Sequence, residues 1–187
     1  MSINRIKDLR SLNENENTQQ EVVQESTNVV SEIISANPVE GFNLAQVDGG
    51  MTVETPTGYQ FKMPTESLEF YKQLFDDGAE HVNSYNRHID TVETALNAEN
   101  LNDLVNLYNK ISKALAPIEI KAAMYSIPYI LLKDEATTKD EVIKLFKAFS
   151  TENYELDEVS AKKLTDTIKN GVYYYKFLLN MFEYLDE

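Results

Sequence analysis

Apolar residues change their period along the chain, and the changes divide it into three zones. Up to about residue 40 the sequence is polar, and the run Asn13-Glu14-Asn15-Glu16-Asn17 has too little apolar area to offset the entropy of ordering it. After that run Val22, Val29 and Ile33 return at spacings of seven and four, a single helical stripe. The stripe fits a helix that folds on a partner or on the main body, and equally a nascent helix in a polar tail. Ile3, Ile6 and Leu9, spaced by three, mark a short docking motif ahead of it.

Between residues 41 and 64 the period shortens to two. Met51-Thr52-Val53-Glu54-Thr55 and Tyr59-Gln60-Phe61-Lys62-Met63 alternate around Pro56-Thr57-Gly58, which predicts a β-hairpin. Met51, Val53, Tyr59, Phe61 and Met63 line its apolar face, and Gly49-Gly50 marks a bend before it. A lone hairpin is marginal in water. It therefore needs the helices behind it, or a sheet edge in another subunit.

From Thr65 onward the pattern is helical, with Thr65 as N-cap and Glu66 in the first turn. Leu68, Tyr71, Phe75, Gly78, Val82, Tyr85, Ile89, Val92 and Leu96 alternate spacings of three and four, a heptad-like seam. A second helix starts at Asn100 and carries Leu101, Leu104, Tyr108, Ile111 and Leu115, so the two read as an αα-hairpin. Pro117 then opens the apolar segment Ile118 to Leu132, the predicted central buried helix, which Pro128 kinks or ends. Thr138 to Glu141 is a capping box for a short helix. The last stretch holds Val159, Leu164, Ile168 and Gly171, then Tyr173-Tyr174-Tyr175 with Phe177, Phe182 and Tyr184. Neighbouring tyrosines point about 100° apart on a helix. They fit an interfacial aromatic patch, or a core helix whose hydroxyls reach the surface.

The predicted fold class is mainly α: a helical bundle with a long heptad-patterned helix, a small β-hairpin and a polar N-terminal extension. Its zones are 1–40, 41–64 and 65–187.

Composition narrows the function classes. There is no cysteine, so disulfides, thiolate metal sites and a cysteine nucleophile are excluded. A net charge of −14 disfavours nucleic acid and anionic membranes, whose binding needs clustered Lys and Arg. An acidic chain could instead mimic nucleic acid in a basic groove, or be acidic for solubility alone. Met1 to Arg10 lacks a secretory apolar region, and no stretch is apolar enough to span a bilayer, so a cytoplasmic location is expected.

The residues that carry chemistry are sparse. His81 and His88 stand two helical turns apart, about 10 Å of rise, too far to share a metal. The acid pairs Asp76-Asp77, Asp134-Glu135, Asp140-Glu141 and Asp157-Glu158 are adjacent, so they point different ways; the last two suit helix N-termini. Residues 133 to 138 lack the alternation and glycine of a calcium loop. No phosphate loop, dinucleotide fingerprint or nucleophile elbow is present. The expectation is a non-enzymatic protein with no catalytic, cofactor or metal residues.

The order of a polar N-terminal segment, the hairpin Met51 to Pro64 and an acidic helical domain opening Thr65-Glu66-Ser67-Leu68-Glu69-Phe70-Tyr71 resembles tailed-phage tail assembly chaperones. The resemblance covers the layout of about residues 50 to 116 and rests on no diagnostic motif. It implies an assembly factor or adaptor that binds the elongated tape measure protein in the host cytoplasm. The alternatives are an acidic phage inhibitor of a host nucleic-acid-binding protein, or a structural virion component. The expected partner is another protein, a phage structural protein or a second copy of the chain, with no nucleic acid and no membrane. The candidate partner-binding residues are Val22, Val29 and Ile33 on the N-terminal stripe, Met51, Val53, Tyr59 and Phe61 on the hairpin, and Tyr173, Tyr174 and Tyr175.

Overall fold

The computed structural model describes residues 29–76, 86–122, 129–131, 139–151 and 155–187. The first described element is a helix, α1, covering residues 29–36. Three strands follow: β1 (Asn43–Val47), β2 (Gly50–Glu54) and β3 (Gln60–Pro64). Then come α2 (Thr65–Asp76), α3 (Ile89–Leu96), α4 (Leu101–Ala122), the short strand β4 (Tyr129–Leu131), α5 (Lys139–Thr151) and α6 (Glu158–Asp186). The described chain is mostly helical with one small antiparallel sheet of order β1-β2-β3-β4.

The alternating runs form the hairpin they predict. Val53 faces Phe61 and Met51 faces Met63 across the β2–β3 pair, and all four are buried. Tyr59, at the end of the same row, is half-buried. Thr55 closes the turn: its N–H donates to the Tyr59 carbonyl at 2.7 Å, and its hydroxyl accepts from the Tyr59 N–H at 3.1 Å. Gly58 supplies the left-handed backbone there, at φ 81°.

The alternation does not reveal β1. Asp48-Gly49 is a tight turn between β1 and β2, with Val47 paired to Gly50 and Gly49 at φ 73°. Gly50 has no room for a side chain, since a Cβ would run into the Met63 carbonyl oxygen.

The helices divide the long seam between them. Leu68, Tyr71 and Phe75 are buried on α2, and Val92 on α3. A 3-10 turn, Asn86–His88, precedes α3, so residues 68 to 96 are not one uninterrupted helix. Gly78, Val82 and Tyr85 lie outside the described residues. Asn100 caps α4 as expected, its Oδ1 accepting from the Asp103 N–H at 2.9 Å, and Leu104, Ile111 and Leu115 are buried.

The expectation of a central buried helix from Ile118 to Leu132 is corrected. Helix α4 runs through Pro117, which is exposed, and ends at Ala122, while Tyr129–Leu131 form the strand that pairs with β3. A short apolar run does not separate a buried helix from a strand. The central place belongs to α6, a 29-residue helix with ten buried positions from Leu164 to Phe182. Asp157 starts it, accepting from the Ser160 N–H at 2.8 Å. The sheet meets α6 through Phe61, whose ring lies 5.2 Å from Tyr174 and 5.7 Å from Phe177. On its other faces α6 receives Tyr71 and Phe75 against Phe182, and Tyr108 against Tyr175. Gly171 is buried where α4 comes closest, since a Cβ there would stand 2.9 Å from the Tyr108 ring. Val29, Val30 and Ile33 of α1 join the same core.

Candidate functional site

The residues expected to bind a partner are mostly spent on this core, which corrects their reading as exposed surface. Val29, Ile33, Met51, Val53, Phe61 and Tyr175 are buried. Tyr59, Tyr173 and Tyr174 are half-buried, with Tyr173 packed edge-on to Phe42 and Tyr174 against Phe61. Val22 and the motif Ile3, Ile6 and Leu9 lie outside the described residues. The reason is area: burying an aromatic or branched side chain is worth roughly 1.5–3 kcal/mol, and α6 passes close enough to take them. The structure brings Phe61, Tyr174 and Tyr175 together and keeps α1 separate from that aromatic contact.

Two surface features remain. The first is β1, whose Asn43, Ala45 and Gln46 are exposed, with Leu44 and Val47 half-buried. One edge of β1 pairs with β2, and among the described residues nothing pairs with the other. None of its five residues is charged. Natural edge strands are usually blunted by charge, proline or a bulge, because an open edge templates another strand. Acids border this one: Glu40 and Asp48 are exposed at its two ends, and Glu54 faces Asn43 from β2, accepting from its side-chain amide at 3.3 Å. The signal for β1 was the dipeptide Asp48-Gly49, a hairpin turn flanked by Val47 and Met51.

The second is an open groove of about 770 Å³ where α3 meets α4, lined by Glu93, Glu99 and Asp103 with Asn97, Asn100 and Asn106. Lys176 of α6 already pairs with Glu93 at 2.7 Å.

A polar cluster sits inside the helices. The Tyr175 hydroxyl donates to Ser112 Oγ at 3.2 Å and stands 3.4 Å from Glu119 Oε2. Burial pushes the Glu119 carboxyl above its ordinary range, while hydrogen bonds from Tyr175 and Tyr174 pull it down. Burial, then the Glu119 charge, raises the phenols of Tyr71 and Tyr108. The Tyr71 hydroxyl is buried without a hydrogen bond of ordinary length, though close enough to Tyr174 for the two phenols to interact. Tyr108, Ser112 and Glu119 follow each other at four and seven residues on α4, so their shared face was readable; their convergence with α2 and α6 was not.

His88 is half-buried, and burial, then Lys110 and Arg87, lowers its pKa. His81 lies outside the described residues. Among the described residues no group of three or more His, Asp or Glu could hold a metal, and no helix is long and apolar enough to cross a membrane. Comparison with protein-family models, with curated proteins and with solved structures finds no match.

Proposed function

We propose that this chain is a non-enzymatic assembly factor that holds an extended segment of a structural protein against the open edge of β1, in the manner of a phage tail assembly chaperone. The observation that carries the reading is the uncharged, unpaired edge of β1 in a chain of net charge −14. A strand added there gains main-chain hydrogen bonds, with side-chain contacts setting its identity. The acids around the edge select a segment that is uncharged at its centre and carries Lys or Arg at its ends. The layout shared with tail assembly chaperones makes an elongated tape measure protein the first partner to try.

The test is co-expression of the full chain with tape measure proteins, followed by affinity measurement on the captured segment. Substitutions Ala45→Lys and Gln46→Lys add charge to exposed edge positions. They should weaken binding by about tenfold or more, about 1.4 kcal/mol, while the far-ultraviolet circular dichroism stays unchanged. Undiminished binding in both variants would remove β1 from the reading. A chain that captures no tail component would remove the chaperone assignment.

The acidic groove favours a second reading, an inhibitor that occupies a basic surface of a nucleic-acid-binding protein. Its lining includes three acids and no Lys or Arg. That reading requires affinity to fall steeply with salt, whereas strand addition at an uncharged edge changes little.

A further inference from the structure

The buried acid described above has no part in strand addition, and its surroundings suggest a task of its own. Glu119 stands in the last turn of α4. There the exposed carbonyl end of the helix disfavours a negative charge. The groups facing it come from three helices: Tyr71 from α2, Tyr108 and Ser112 from α4, and Tyr174 and Tyr175 from α6. No Lys, Arg or His pairs with it, for the ion pairs of the described chain are Lys72–Glu32, Lys163–Glu141 and Lys176–Glu93. An ionised Glu119 is therefore a half-buried charge held by phenol hydroxyls alone.

We propose that Glu119 and its tyrosines form a proton-operated clasp joining α2, α4 and α6, closed when Glu119 is a neutral acid and loosened when it ionises. The physical basis is donor supply. A carboxylate only accepts, whereas the neutral acid brings an O–H of its own. The cluster needs that donor, because the Tyr175 hydroxyl has one hydrogen to divide between Ser112 and Glu119. Ionisation also leaves an uncompensated charge against the core, which the surrounding protein resists.

The direction of the pH response follows from linkage. The folded chain binds the Glu119 proton more tightly than the unfolded chain, so the clasp's stabilisation is complete below the ordinary glutamate range. It is lost as the pH rises from that range through the higher folded value. The clasp stands or falls independently of the β1 reading.

The experiment uses the full chain and its E119Q variant, which is neutral at every pH and keeps the shape of the side chain. Urea unfolding is measured from pH 4 to 8, together with near-ultraviolet circular dichroism, which reads tyrosine packing because the chain has 11 Tyr and no Trp. The expected result is a loss of wild-type stability and of the tyrosine signal with rising pH that E119Q lacks. Carboxyl carbon NMR of the wild type should find Glu119 titrating above the other glutamates, and this decides the matter even if E119Q fails to fold. Two outcomes overturn the clasp: a Glu119 that titrates with the other glutamates, or an E119Q whose pH slope and tyrosine signal match wild type.

Discussion

Gly50 shows how much a single residue constrains. Its backbone lies at φ 156°, and a Cβ would meet the Met63 carbonyl oxygen of the neighbouring strand. Gly50→Ala should cost about 3 kcal/mol, read as a fall in the urea midpoint at unchanged slope, because nothing flexible can move aside. Asp157 acts through hydrogen bonds instead. Its carboxylate accepts from the Ser160 N–H and, at 3.0 Å, from the Ser160 hydroxyl, and these bonds hold its pKa below the usual range. A depressed carboxyl stabilises the fold above the ordinary aspartate range and loses that contribution as pH falls through the folded value. Asp157→Ala should therefore lower the unfolding midpoint at pH 7 and show a smaller further drop on acidification than wild type. Both residues were partly legible. The pair Asp157-Glu158 announced a helix start, whereas Gly49-Gly50 read as a bend because its role depends on a strand, β1, with weak alternation.

Among the elements, α6 shows why apolar pattern alone misplaced the centre of the molecule. Residues 118 to 132 look apolar on most sides, as a central helix should. The chain instead ends α4 within that stretch and adds a strand to β3. Helix α6 is interrupted in sequence by Gly171, which suggests a break. In the fold that glycine is the contact point for Tyr108, so α4 and α6 can lie close without a side chain between them. Gly171→Val should therefore destabilise by about 1–3 kcal/mol, despite removing a poor helix former, because the new methyls overpack the Tyr108 ring. Thermal unfolding would check the sign. A stabilised variant would mean that Tyr108 swings aside freely.

For the whole molecule the question is where the body begins. The polar composition before residue 40 suggests an extension, yet Ile33 is 1% exposed and belongs to the same core cluster as Met51 and Phe182. Ile33→Ala should lower global stability by about 2–5 kcal/mol, with a single transition seen by both far- and near-ultraviolet circular dichroism. Two transitions, or no change, would mark α1 as an appendage. The net charge of −14 leaves this core intact because few acids enter it; Glu119 is the half-buried exception in the polar cluster.

Local rules sufficed wherever the physics was local. Alternation with a glycine turn made the β2–β3 hairpin, 3-4 spacing made the buried stripes of α2 and α4, and capping residues opened α4 and α6. Tertiary structure alone decided which apolar faces meet. It turned the hairpin face, the α1 stripe and the tyrosine run inward, because burying them against one another gains more than displaying them to water. It also left β1 as an open edge and gathered Glu119 with tyrosines from two other helices. Neither could be read from spacing, since both depend on groups far apart in the chain whose contact no local periodicity encodes.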